Sequence, residues 1–220
     1  MVKSLQENAE SEWLKFKKQF HIRDDDSKYS EFEQYFYRIF SIVLFSKKIE
    51  VKYCLKQETS PTLIYMHELL LESLGVYCSG FPNAALFTLR AAEDSLLDII
   101  LNYYDIQTSE SRFTDRKKNL SSTEYFAKIN SLHDNYKRIS TVFHGSSSAN
   151  TPTSYLLDIK DTMEPEVHEI LFDGVTIIFD ILISLSKPSL KKWRRSELEE
   201  YLSNFFSPRQ IQKLYNSFQQ

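Results

Sequence analysis

The chain has 220 residues, enough for one large domain or a domain with an appendage. Its 4 glycines and 6 prolines are fewer than half of average usage, which is about 12% for the two together. That scarcity leaves no glycine-rich loop to cradle a phosphate and too few turn residues for a sandwich or barrel, while a formal charge of −3 excludes a protein that is basic overall.

What remains is an all-α fold with few, short turns. A hydrophobic content of 42%, with 16 Phe, 13 Tyr and 2 Trp, can fill its core and excludes global disorder.

Residues 5–20 carry Trp13, Phe16 and Phe20 on one side of a helix. The polar, charged start of the chain gives no signal-peptide pattern. A charged interruption follows at 21–27, centred on Asp24, Asp25 and Asp26. Consecutive side chains point in different directions and no calcium-loop glycine stands among them, so a solvated loop or helix cap is expected rather than a metal site. Over 29–46, Phe32, Tyr35, Phe36, Ile39, Phe40, Val43 and Leu44 recur at helical spacing. Residues 49–56 alternate apolar and polar. They read either as the chain's one strand signal, paired across a dimer, or as an extension of the preceding helix.

Ser60 and Pro61 read as N-cap and first residue of a helix to about 79. Gly80-Phe81-Pro82 is a tight break, and a long helix spans about 83–104. Residues 105–120 read as a polar loop that includes Arg116, Lys117 and Lys118. Ser121 with Glu124 has capping-box spacing and opens a helix that is expected to stop at His144, with Gly145 just beyond it. Residues 146–154 read as loop, and 165–186 as the last core helix. Pro188 marks a boundary. After it come Lys191, Lys192, Trp193, Arg194 and Arg195, a second capping-box pattern at Ser196 and Glu199, and two short helices. The expected division is an N-terminal helical arm (1–28), a bundle of about five long helices (29–187) and a C-terminal basic linker with a helical pair (188–220). No apolar run approaches the 18 residues of a membrane span, so a cytoplasmic protein is the default.

Chemistry has few places to reside. Cys54 and Cys78 lack metal or redox spacing, which leaves reduced thiols or a single disulfide open. The five histidines, His21, His67, His133, His144 and His168, show no zinc spacing, so no metal and no cofactor is expected. His67 and His133 lie in helical stripes and read as structural; the sequence does not place His168. One arrangement can be argued: Arg138 and His144 near a helix end, with Lys137 and Ser140 beside them. Histidine can move protons near neutral pH, and arginine's planar fork fits the oxygens of a phosphorane. A helix C-terminus also favours imidazolium. Six residues of regular helix, however, leave the two side chains about 120° apart and about 9 Å along the axis. They converge through an irregular last turn, a stretched arginine or a two-fold axis. The plainer alternative is a capping histidine and a surface ion pair.

The run Tyr77-Cys78-Ser79-Gly80-Phe81-Pro82-Asn83-Ala84-Ala85, leading into Leu89-Arg90-Ala91-Ala92-Glu93-Asp94, resembles the helix-break-helix opening of HEPN domains, the higher eukaryote and prokaryote nucleotide-binding family. Arg138 to His144 resembles that family's R-x(4-6)-H motif, and the likeness covers about 62–186. It implies a HEPN-like helical bundle with metal-independent endoribonuclease activity. Arg138 and His144 would be the catalytic pair in a homodimer cleft, and RNA the substrate. An antitoxin or other protein partner is implied too, since family members act in toxin–antitoxin and phage-defence (abortive-infection) systems. Many active members carry a polar residue after the arginine where this chain has Ile139, and some HEPN domains only bind nucleotides or partners.

Arg90 with Glu93 or Asp94 has ion-pair spacing on a helix; the resemblance adds a possible role for Arg90 and Glu93 in the dimer groove. Lys191, Lys192, Trp193, Arg194 and Arg195 combine cations with a stacking surface, as RNA binding uses, or form a solvated linker with Trp193 packed inward. Residues 196–218 could form a helix-turn-helix regulator, but Arg209 and Lys213 are its only recognition-helix cations.

Overall fold

The computed structural model describes residues 5–25, 28–52, 60–146 and 165–219. Among them are ten helices and no strand: α1 (Leu5–Gln19), α2 (Tyr29–Lys52), α3 (Ser60–Cys78), α4 (Pro82–Tyr103), α5 (Phe113–Lys118), α6 (Phe126–Ser146), α7 (Pro165–Leu185), α8 (Lys187–Leu190), α9 (Arg195–Leu202) and α10 (Pro208–Gln219). The all-α expectation holds. The chain divides into two compact units, one of residues 1–55 and 182–220, the other of 56–181. The boundary falls inside α7, and α2 groups with the two chain ends. These limits do not coincide with the expected cuts after residues 28 and 187.

In the first unit, Trp13 is buried against Phe36, with ring centroids 5.2 Å apart, and its indole Nε1 donates to the Tyr29 hydroxyl at 3.1 Å. The buried stripe of α2 runs through Phe32, Tyr35, Phe36, Ile39, Ile42, Phe45 and Ile49. It therefore passes through Ile42 and Phe45 where Val43 and Leu44 were expected. Ile49 lies on the same stripe, so residues 49–52 extend α2 and do not form a strand; the rest of that segment, with Cys54, lies outside the described residues. Asp24 of the aspartate run meets Lys17 Nζ at 2.6 Å, a solvated contact as expected, while Asp26 is not among the described residues.

The N-terminal end of α10 is closed by a reciprocal cap: Ser207 N–H donates to Gln210 Oε1 at 2.8 Å, and Gln210 N–H donates to Ser207 Oγ at 3.4 Å. The cap of α9 sits two residues before the expected Ser196. Arg194 N–H donates to Glu197 Oε2 at 2.9 Å, and Glu199 instead takes Arg195 Nε at 2.8 Å.

In the second unit, α3 and α4 form a hairpin, and Ser73 Oγ donates across it to the Ala85 carbonyl at 2.9 Å. Leu63, Met66, Leu70, Leu74 and Tyr77 of α3 are buried, as are Ala85, Leu89, Ala92 and Leu96 of α4. The expected loop at 105–120 contains α5. Phe113 buries itself against Tyr136 (4.5 Å between centroids) and His133 (5.6 Å), while Arg116 bridges Asp94 and Asp98 of α4. These anchors lie on other elements, so six residues of local pattern do not announce the helix. Ser121 and Glu124 form no helix start. Leu120 and Tyr125 are buried, residues 121–125 turn, and α6 begins at Phe126.

Three helix ends close in the same way. Ile22 N–H reaches the Lys17 carbonyl (3.0 Å), Phe81 N–H reaches Val76 (3.1 Å) and Ile106 N–H reaches Leu101 (2.9 Å). Each places the preceding residue in the left-handed region: His21 (φ 54°), Gly80 (φ 85°) and Asp105 (φ 57°). In a glycine-poor chain only one of the three is glycine. His21→Gly is expected to raise unfolding free energy by about 0.5–1 kcal/mol, because the left-handed strain at Cβ disappears. Urea titration checks it; an unchanged or lower midpoint refutes it.

Candidate functional site

Helix α6 carries the proposed pair. It continues without a break past Gly145 to Ser146, so Gly145 does not end it, and His144 lies within the helix. The convergence route through an irregular last turn is therefore absent. The side chain of His144 lies outside the described residues.

Arg138 is 35% exposed and is held by α7: Nη1 donates to Asp173 Oδ2 at 2.6 Å, and Nη2 meets Glu169 Oε1 at 3.3 Å. The hydrogen bond that Arg138 donates to Asp173, with the nearby charges of Asp173, Glu169 and Glu166, holds its pKa above the usual arginine value. The surface ion pair named above as the plainer alternative is thus present, with two carboxylates in place of one. Ile139 is fully buried, so the residue directly after Arg138 faces the core. Ser140 Oγ donates to the Tyr136 carbonyl of its own helix at 2.9 Å, which uses its proton locally. Lys137 is exposed, 3.8 Å from Asp134.

The expected pairing of Arg90 with Glu93 or Asp94 does not form. Arg90 Nη2 donates to the Tyr136 hydroxyl at 2.7 Å, with the guanidinium carbon 4.3 Å from the ring centroid. Asp94 is taken by Arg116. Glu93 is completely buried, which removes it from any groove or RNA-binding surface. Its Oε1 accepts from Asn135 Nδ2 at 2.7 Å, and Asn135 Nδ2 also reaches the Ile170 carbonyl at 3.4 Å. Burial is the main reason that its pKa is raised to about 8; Asp94 adds to the shift, while Asn135 and Arg90 oppose it. Glu93 Oε2 and Asn135 Oδ1 have no hydrogen-bond partner among the described residues. Gly174 of α7 fits against this pair, since a Cβ there would stand 2.7 Å from Leu89 Cδ2 and 2.8 Å from Asn135 Nδ2.

This three-helix junction was not anticipated. Its sequence signal is a carboxylate at an apolar-stripe position, Glu93 between Leu89 and Leu96, with an asparagine in the corresponding place after Leu132.

The histidines sort by burial. His133 is buried and its Nδ1 accepts from Lys117 Nζ at 3.0 Å, which leaves Nε2–H to donate to Thr114 Oγ1 at 3.2 Å. Burial first, then Lys117, lowers its pKa and favours the neutral ring. His67 is buried as well. His168 Nδ1 lies 2.9 Å from the Tyr77 hydroxyl, one residue before the Glu169 that contacts Arg138.

Trp193 is buried, so it offers no stacking face. It packs on Phe45 and Tyr201, with Lys48 Nζ 4.5 Å from its ring centroid, and only the cations beside it face water. A cleft of about 610 Å³ opens between α1, α2 and α9, lined in part by Glu10, Tyr37, Phe40, Glu199 and Glu200. Its three carboxylates oppose an anionic substrate. Among the described residues no group of three or more His, Cys, Asp or Glu could hold a metal ion, and no helix is long and apolar enough to cross a membrane.

Comparison of the chain with family models, curated proteins and solved structures finds no match.

Proposed function

We propose that the chain is a HEPN-like endoribonuclease, acting as a homodimer in a toxin–antitoxin or phage-defence setting. The observation that carries this reading is a partly exposed Arg138 on the same unbroken helix end as His144. With regular helix geometry the two point about 120° apart, so a two-fold axis is the economical way to gather both kinds of group around one phosphate. The RNA 2′-hydroxyl attacks phosphorus as one histidine takes its proton. The 5′-oxygen leaves with a proton from the other, and arginine steadies the phosphorane charge. The products are a 2′,3′-cyclic phosphate and a 5′-hydroxyl.

A second reading rests on its own observation. Asp173 and Glu169 already occupy Arg138, and Ile139 is buried, as suits an inactive HEPN-like module that binds a nucleotide or a protein. Incubation with total RNA separates the two. His144→Ala and Arg138→Ala are each expected to lower cleavage by about 100-fold or more. Equal cleavage by variants and wild type, or none by any of them, overturns the enzyme reading and favours the binding module.

A further inference from the structure

We infer that the turn joining α8 to α9 is a docking surface for the phosphate backbone of RNA, read by charge alone and without base stacking; this rests on the ribonuclease reading above. The sequence places Lys187, Lys191, Lys192, Arg194 and Arg195 within nine residues, with no carboxylate among them. The backbone there is tightly wound. Lys191 N–H donates to the Lys187 carbonyl at 3.3 Å, Lys192 N–H to Ser189 at 3.2 Å and Trp193 N–H to Leu190 at 3.0 Å. Gln219 Nε2 of α10 secures the turn from outside by donating to the Lys191 carbonyl at 3.2 Å.

The two apolar residues act as pegs. Leu190 is fully buried, and Trp193 lies between Phe45 and Tyr201. Pegging them inward turns all five cations to solvent. Of the neighbouring carboxylates, Glu197 takes Lys48 Nζ at 3.3 Å and the Arg194 backbone N–H, while Glu199 pairs with Arg195, the one cation of the five that it offsets. Lys187, Lys191 and Arg194 have no ion-pair partner among the described residues. They form a held, uncompensated group of cations on a chain whose formal charge is −3.

Burial of Trp193 decides the kind of partner. Single-strand readers stack bases on exposed aromatic rings, and this turn exposes none. Membrane-surface segments add apolar side chains that enter the lipid, and both apolar residues here point inward. Charge without ring or wedge suits phosphodiesters, with affinity indifferent to base identity and steep in salt.

The test uses the full chain with His144→Ala, so that RNA stays intact, and a fluorescent RNA duplex whose anisotropy is followed across salt concentrations. Lys187→Ala, Lys191→Ala and Arg194→Ala are combined in a second protein, whose melting temperature confirms its fold. Each phosphate contact contributes about 0.7–0.9 to the slope of log affinity against log salt, so the triple variant is expected to lose about 2 from that slope and roughly tenfold or more in affinity. The same affinity and slope in both proteins overturns the inference. Tighter binding to phosphatidylserine vesicles than to RNA, lost in the triple variant while RNA binding persists, overturns it in favour of a lipid surface. Because binding is read without His144, absence of cleavage by the wild type refutes the ribonuclease reading, while the salt slope alone judges the docking surface.

Discussion

Glu93→Gln is expected to remove a fall in stability that the wild-type protein shows as pH rises from about 5 to about 8. The Glu93 pKa is raised from the ordinary 4.5 to about 8 by complete burial among α4, α6 and α7. Below pH 4.5 the folded and unfolded chains both hold the proton. Between 4.5 and about 8 only the folded chain does, so each pH unit removes up to about 1.4 kcal/mol of stability. Above about 8 both states have released the proton, and the slope from this group vanishes.

The neutral acid is also the better hydrogen-bonding partner. It supplies an O–H donor in a pocket that holds the lone acceptor Asn135 Oδ1. A glutamine keeps an acceptor for Asn135 Nδ2 and places an N–H donor, one of the two on its amide, where the acid has its O–H, and it does not ionise. Urea unfolding of both proteins at several pH values gives the difference between them. That difference isolates Glu93 from other titrating groups, such as His133, whose lowered pKa costs stability towards acid. The advantage of Glu93→Gln should grow between pH 5 and 8 by on the order of 1 kcal/mol per unit and then level off. Parallel curves would show that Glu93 is ionised in the folded protein and sink the prediction.

Gly174→Ala is expected to destabilise the second unit by about 3 kcal/mol or more. The added Cβ would stand 2.7 Å from Leu89 Cδ2, 2.8 Å from Asn135 Nδ2 and 3.2 Å from Glu93 Oε1. Leu89 is itself fully buried and has little room to yield. Overpacking costs about 1–3 kcal/mol, and displacing Asn135 adds about 1–3 kcal/mol for a buried polar group left unpaired. Gly80 offers a contrast, because a Cβ there meets nothing within 4 Å and its glycine answers only to φ +85°. A loss below about 1 kcal/mol for Gly174→Ala, measured by urea unfolding, would mean that α7 can shift away from α4 and α6 without consequence.

Helix type and approximate limits are legible in the chain because they depend on neighbours three or four residues apart. The helices α3, α4 and α7, the glycine break at Gly80 and the basic turn before α9 can all be read in that way. The scarcity of glycine and proline belongs to the same class, since it excludes loop-rich folds before any residue is placed. Arg138 and His144 can be named as candidates from spacing alone.

Tertiary packing decided the rest. Arg138 meets Asp173 and Glu169, residues more than thirty positions away in the chain, so no local pattern predicts that its charge is engaged. Trp193 reads equally as a stacking platform or a peg until Phe45 and Tyr201 close on it. Arg116, expected in a loop, becomes the clasp of α5 because Asp94 and Asp98 face it from α4. Glu93 shows the reason most plainly. Its ion-pair spacing with Arg90 is a property of one helix, but its burial is a property of three. Whether a carboxylate is a surface charge or a neutral core acid depends on desolvation by α6 and α7, a term absent from local sequence.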